Sequence, residues 1–100
     1  MTQQERDEEL RLLRQRYSTA RETWSASLSK LTRYGNTLAD IGNGLQMLRA
    51  DASLQETGID IPDQLPTASD IKRLQSELAK SLKEMRECQN LLAGFGIHEN

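Results

Sequence analysis

Residue types that usually carry chemistry are scarce in this chain of 100 residues, which has one cysteine, Cys88, and one histidine, His98. One cysteine excludes an internal disulfide. With a single histidine, neither a nucleophilic constellation nor a metal-ligand spacing can be assembled. Cys88 falls on the apolar face of a predicted helix, where it is expected to be a small buried hydrophobe. We therefore predict a non-enzymatic protein with no cofactor, metal or small-molecule substrate.

Aromatic residues and long apolar runs are scarce as well. Aromatics make up 4% of the chain and hydrophobic residues 36%, against a usual soluble average of about 45–50%. No apolar run approaches the roughly 18 residues of a membrane span. The first residues have neither the basic start nor the apolar core of a signal peptide. The sequence predicts one elongated, soluble, intracellular domain (cytoplasmic or nuclear) without membrane contact.

Charge is nearly balanced overall but unevenly placed along the chain. The net charge is -2, which gives no whole-chain attraction to nucleic acid. Residues 1–34 carry seven Lys/Arg against five Asp/Glu, and residues 35–66 carry one against five. Residues 67–100 carry five of each. The acidic middle, at -4, is the strongest asymmetry in the sequence.

Apolar residues recur in steps of three and four from Leu10 to Ala52, which is the pattern of a helix that packs lengthwise on other helices. Thr2, with Glu5 three residues later, is a good N-cap for a helix over about residues 3–56. One heptad register contains Leu10, Tyr17, Trp24, Leu31, Leu38, Leu45 and Ala52, and the other contains Leu13, Ala20, Ser27, Tyr34, Ile41 and Leu48.

This helix contains a short glycine-bearing repeat. The segment Tyr34-Gly35-Asn36-Thr37-Leu38 is followed by Ile41-Gly42-Asn43-Gly44-Leu45. Each glycine costs about 1 kcal/mol relative to alanine inside a helix. The apolar phase nevertheless passes through unshifted, which favours a continuous helix with Gly35 and Gly42 as a wall for close helix packing. The alternative is a break near Gly35-Asn36, which would give a three-helix bundle.

A second helix is predicted over about residues 67–93, after a loop of about residues 57–66 that contains two prolines. Thr67 and Asp70 form a candidate capping box, and Gly94 supplies a stop. The loop residues Ile59, Ile61 and Leu65 are interpreted as packing on the helices, with an exposed docking segment as the alternative. One heptad register here contains Ile71, Leu78, Met85 and Leu92, and the other contains Leu74, Ser81, Cys88 and Phe95. The predicted fold is an all-α hairpin of one long and one shorter antiparallel helix that assembles into a bundle.

The two helices differ in length, at roughly 75 Å and roughly 40 Å. A compact hairpin would place the shorter helix against Leu31 to Ala52 and leave the segment from Leu10 to Leu28 without a partner in the chain. This segment is therefore expected to bind a second copy, in a dimer or tetramer, or the helices of another protein. The residues expected to make that contact are Leu10, Leu13, Tyr17, Trp24 and Leu28.

The favoured function is a scaffold, adaptor or assembly subunit that binds other proteins through its helical bundle. One alternative is a nucleic-acid-associated regulator, in which a small arginine patch contacts phosphate. For these arginines a solvated helix flank is the simpler interpretation. A second alternative is a chaperone or secretion partner that grips an amphipathic client helix. The candidate anion patch consists of Arg11, Arg14, Arg16 and Arg21.

Overall fold

The computed structural model describes residues 2–97, so His98 lies outside the described residues. It contains α1 (Gln3–Met47), α2 (Ala52–Thr57) and α3 (Ala68–Ala93), and no β-strand occurs within residues 2–97. The predicted all-α hairpin is confirmed, because α1 packs lengthwise on α3. The molecule measures 75 × 21 × 14 Å. It is therefore a rod only one helix pair thick.

Helix α1 begins and continues as predicted but ends earlier. The Thr2 hydroxyl accepts a 3.1 Å hydrogen bond from the Glu5 N–H and caps the first turn. The helix runs through Gly35 and Gly42 without a break, so the continuous helix is confirmed. It ends at Met47 rather than near residue 56, because Asp51 is extended and its carboxylate accepts from the Ser53 N–H at 2.9 Å. Asp51 thereby caps a new helix, α2, instead of prolonging α1.

Helix α3 has its predicted N-terminal capping box and ends at Ala93 as predicted, but the left-handed residue of its stop is not Gly94. The Thr67 hydroxyl accepts from the Asp70 N–H at 3.1 Å, and the Asp70 carboxylate accepts from the Thr67 N–H at 3.2 Å, which completes the capping box. At the other end the Ile97 N–H donates to the Leu92 carbonyl at 3.0 Å while Gly96 has a φ of 82°. This is a Schellman-type stop whose left-handed residue is Gly96, two positions after the predicted Gly94.

The connector between α2 and α3 runs back along α1 instead of turning tightly. A Cβ at Gly44 would lie 3.1 Å from Ile59 Cδ1, so Ile59 packs directly on the α1 backbone. One cleft farther back along α1 is lined by Ile41 from the helix and by Ile61 from the connector. The connector therefore uses up the last turns of α1, and α3 begins beside the middle of that helix.

This return corrects the predicted pairing of the helices. Arg16 Nη2 lies 2.7 Å from Glu84 Oε1, and the Arg6 guanidinium carbon lies 5.2 Å from the centre of the Phe95 ring. The first contact joins the N-terminal half of α1 to the C-terminal half of α3, and the second joins it to the turn directly after α3. The expectation that the shorter helix covers Leu31 to Ala52 is therefore wrong. It assumed a compact loop, whereas the connector is long enough to carry the chain halfway back.

The core lies entirely between α3 and the first half of α1. The largest fully buried side chains are Leu74, Cys88 and Leu92. Tyr17 and Ala20 pack with Met85 and Cys88 in one cluster, and Trp24 is half-buried at its margin. Cys88 is thus a buried hydrophobe, as predicted. Among residues 2–97 the buried residues are Leu13, Tyr17, Ala20, Ser27, Leu74, Ser81, Met85, Cys88 and Leu92.

Candidate interaction surface

Residues 35–66, which we call the connector half, have no core of their own. None of the nine buried residues falls within this half. It nevertheless holds five of the eight large apolar side chains that are exposed among residues 2–97. Exposed apolar side chains gathered in one region mark a surface that other chains can cover. The five residues are Leu38, Leu45, Met47, Ile61 and Leu65.

Leu38 and Leu45 are exposed because the helix that should cover them starts too late. Both continue the heptad register of Leu31, and their exposed fractions are 42% and 52%. Helix α3 begins only at Ala68, and the connector lies against Ile41 and Gly44 on the neighbouring side of α1. The heptad stripe therefore extends about ten residues beyond the end of the intramolecular helix pair.

The two glycines singled out by the sequence line this open stripe. A Cβ built on Gly35 or on Gly42 would meet no atom within 4 Å. The close helix packing predicted at these positions is therefore not made within the chain, and within the described residues the close contact falls on Gly44 instead. The reason is the connector, which passes over Gly44 and leaves the side of Gly35 and Gly42 uncovered.

The residues expected to contact a partner divide into two groups. Leu13 and Tyr17 are buried in the chain's own core, which corrects the view that they lack an intramolecular partner. Leu10 and Trp24 are half-buried, and Leu28 is exposed. The contact of these residues with another chain stays a prediction. The reason first given for it does not hold, because the segment from Leu10 to Leu28 is paired with α3.

Leu10, Trp24 and Leu28 lie along one edge of the seam between α1 and α3. At 3.6 residues per turn, Trp24 and Leu28 are about 80° and about 120° around α1 from Arg16. Arg16 is joined to Glu84 on the opposite edge. The same spacing places three half-buried side chains of α3 on the edge with Trp24. We call this strip the apolar edge; it comprises Leu10, Trp24, Leu28, Ile71, Leu78 and Leu82.

The four arginines do not form one free patch. Arg11 pairs with Glu8 at 2.6 Å, and Arg16 pairs with Glu84. The hydrogen bonds to these carboxylates raise the pKa of each guanidinium above its ordinary value. Arg14 and Arg21 make no ion pair with any residue that the structure describes. Half of the candidate anion patch is therefore already neutralised within the chain.

The edge of the seam that carries Arg16 forms an open groove of about 760 Å³. Its floor includes the small side chains of Ala20 and Ser81, and Leu12 stands at one end. Charged side chains from both helices, including Arg16 and Glu84, line its sides. A groove with small residues at the base and charges along the rim has the general form of a site for an amphipathic helix.

The structure offers little for covalent or metal chemistry in the part it describes. Burial raises the pKa of the Cys88 thiol, and nearby Arg16 opposes this shift more weakly. A raised pKa keeps the thiol protonated and unreactive at neutral pH. No group of three or more His, Cys, Asp or Glu residues within 2–97 is arranged to hold a metal ion. Within the same range, no helix combines the length and apolar character needed to cross a membrane.

Sequence reasoning missed the most exposed part of the surface. The favoured prediction packs Ile59, Ile61 and Leu65 on the helices, but Ile61 and Leu65 are 51% and 43% exposed, which is closer to the alternative of an exposed segment, while Ile59 packs on α1. The signal was present in the acidic composition of residues 35–66, because charged residues usually accompany a solvated surface.

Comparison with protein-family models, with curated proteins and with solved structures finds no match to this chain.

Proposed function

We propose that the protein is a non-enzymatic interaction or assembly subunit, which binds other helices through the exposed apolar residues of its connector half. The observation that supports this is the separation of core and apolar surface. Every buried residue lies outside residues 35–66, and most of the exposed large apolar side chains lie within them. A partner helix on Leu38 and Leu45 would continue the seam that α3 leaves unfinished.

The size of the core supports the same proposal. Small domains bury a limited fraction of their surface and often gain stability by association. This chain is a single pair of packed helices 14 Å thick, so neither helix is enclosed on all sides. Helical hairpins of this form commonly complete their core by packing on further helices in a bundle.

The direct test is photo-crosslinking in cells that produce the protein. A photoreactive amino acid placed at Leu38 should give a covalent adduct with a protein chain. The matched control is the same amino acid at Asn36, which is exposed on the same helix about 160° away. Adducts from Leu38 but not from Asn36 are expected. Equal yields from both positions, or none from Leu38, would contradict the proposal.

A second candidate function is that of a chaperone or secretion partner, favoured by the groove that contains Ala20 and Ser81. This function differs in its binding surface, because the client helix would lie beside Leu12 rather than beside Leu38. A photoreactive amino acid at Thr19, which also lines the groove, separates the two. Adducts from Thr19 that disappear when a free amphipathic helix is added in excess would favour the chaperone.

A further inference from the structure

We infer that the occupant of the open stripe is a second copy of this chain, in a twofold antiparallel pair centred beside Leu31. In this pair the connector half of each copy covers the apolar edge of the other. The inference rests on the proposed function and deepens it, because it names the partner and its orientation. It is carried by the distribution of apolar surface, by charge and by the available area.

The two apolar regions of one chain are complementary in position. The connector half offers Leu38 and Leu45, and the apolar edge offers Trp24 and Leu28 on the same helix. A twofold contact is isologous, so each copy must supply both halves of the contact. Rotation about an axis beside Leu31 places Leu38 of one copy level with Trp24 of the other. Both unfinished regions are then covered at once.

Charge selects the antiparallel arrangement. The connector half carries one Lys/Arg against five Asp/Glu, which gives -4. Residues 10–34 carry six Lys/Arg against one Glu. Of these, Arg14 and Arg21 make no ion pair with any described residue, and they lie about 160° and about 140° around α1 from Arg16, on the side of the apolar edge. A parallel pair would set acidic on acidic and basic on basic. The antiparallel pair opposes the two signs, and opposite potentials across an interface favour both encounter and register.

The same charges locate the axis. The connector half is centred near residue 42 of α1 and the basic segment near residue 22, judged from the contacts that the connector makes with α1. A twofold axis that brings the connector half of one copy opposite the basic segment of the other must lie midway between these two segments. That midpoint is beside Leu31. Gly35 and Gly42 then lie within the contact, where the open space above each lets the partner helix approach.

The area is sufficient for a stable dimer. About an axis at Leu31 the two α1 helices overlap from Gln15 to Met47, which is roughly 48 Å at 1.5 Å per residue. The broad face of the rod is 21 Å wide. The contact would therefore cover roughly 1,000 Å² on each copy, and the total of roughly 2,000 Å² is that of a stable interface.

The first experiment measures solution mass by light scattering over a range of concentrations. The chain of 11.3 kDa should appear at twice that mass. The double variant Leu38→Asp/Leu45→Asp should raise the dimer dissociation constant at least 100-fold. The matched control is Leu12→Asp/Leu91→Asp, which places the same charges on two equally exposed leucines outside the contact. This control should stay dimeric within about threefold.

The second experiment measures orientation. A spin label at Gln46, in a Cys88→Ala background, should give an intermolecular distance of about 45 Å in the antiparallel pair. A parallel pair would bring the two labels within about 20 Å. Raising the salt concentration from about 0.05 M to 0.5 M should weaken the dimer several-fold, since it screens the opposed charges.

The outcomes separate this inference from the proposed function. A wild-type chain that stays monomeric at millimolar concentration, a short spin-label distance, or equal loss of dimer in both double variants would each overturn the inference. If Leu38 then still crosslinks to a different protein chain, the proposed function stands without it. If Leu38 crosslinks to nothing, both fall.

Discussion

The side chain of Ile59 lies against the backbone of Gly44, where an added Cβ would be 3.1 Å from Ile59 Cδ1 and 3.2 Å from Ile59 Cγ2. This contact helps to hold the connector on α1, next to the cleft that Ile41 and Ile61 line. A Cβ at this position would be closer to Ile59 than ordinary van der Waals contact, so glycine favours the close approach. The connector that leads to α3 is therefore packed on the part of α1 that α3 does not cover.

The three glycines of α1 should respond differently to alanine. Gly35→Ala and Gly42→Ala each add a methyl group in open space and should raise the free energy of unfolding by about 1 kcal/mol. Gly44→Ala gains the same helix propensity but must displace Ile59, so its gain should be smaller or negative. Urea unfolding of the three variants at low protein concentration checks this. Equal gains at all three positions would mean that Ile59 does not pack on Gly44.

Two adjacent leucines of α3 should differ sharply in their effect on stability. Leu92 is 0% exposed and Leu91 is 44% exposed. Leu92→Ala should lower the free energy of unfolding by about 2–4 kcal/mol, because it removes buried surface and leaves a cavity. Leu91→Ala should cost less than about 1 kcal/mol. Thermal melts followed by circular dichroism measure both, and a reversed order would contradict the packing of α1 on α3.

Cys88 should be protected from thiol reagents in the folded protein. Its side chain is fully buried, and burial raises its pKa, so little thiolate is available at neutral pH. We expect a disulfide reagent to react at least 100-fold more slowly with the native chain than with the chain in concentrated urea. The variant Leu74→Ala should speed the native reaction, since it loosens the same core. A rapidly labelled native thiol would place Cys88 at the surface.

The capping box of α3 should make the free energy of unfolding depend on pH in the acidic range. Hydrogen bonds from Thr67 hold the pKa of the Asp70 carboxyl below its ordinary value. The contribution of the ionised carboxylate is thus complete above the unfolded-state pKa of about 4, and it is lost as the pH falls through the folded-state pKa. Asp70→Asn should remove this part of the acid dependence.

The backbone half of the same cap is tested by a neighbouring pair of variants. Thr67→Ala should lower the free energy of unfolding by about 1 kcal/mol at neutral pH, because the Asp70 N–H loses its acceptor. Ser69→Ala, two residues later and exposed, is the matched control and should change stability little. Equal effects of the two substitutions would contradict the assignment of Thr67 as the N-cap.

Local signals in the sequence were enough to predict the two long helices and their N-caps, but not the end of α1 at Met47 or the separate helix α2. The caps at Thr2 and Thr67 require only residues within one turn, and the heptad phase across Gly35 and Gly42 is a local pattern too. The pairing of the helices was not accessible in this way. Heptads in two helices fit together at several offsets, and the offset depends on the path of the connector, which packs on α1 at Gly44 and at the cleft lined by Ile41 and Ile61.

The candidate surface was misplaced for the same reason. Leu13 and Tyr17 look identical in the sequence to Leu38 and Leu45, since all four occupy heptad positions. Which pair α3 covers is decided by where α3 begins. If α3 began some fifteen residues farther along α1, it would cover Leu38 and Leu45 and leave Leu13 and Tyr17 exposed. The helix boundary signals in the sequence would be the same in both arrangements.

The cation–π contact between Arg6 and Phe95 places the two ends of the described chain at the same end of the rod. Helix α2 lies at the other end, and the rod is 75 Å long. Attachments made at Thr2 and at Ile97 would therefore be neighbours, and both would lie about 70 Å from α2. The rod therefore holds a fixed distance between any group attached at Thr2 or Ile97 and any partner that binds at α2.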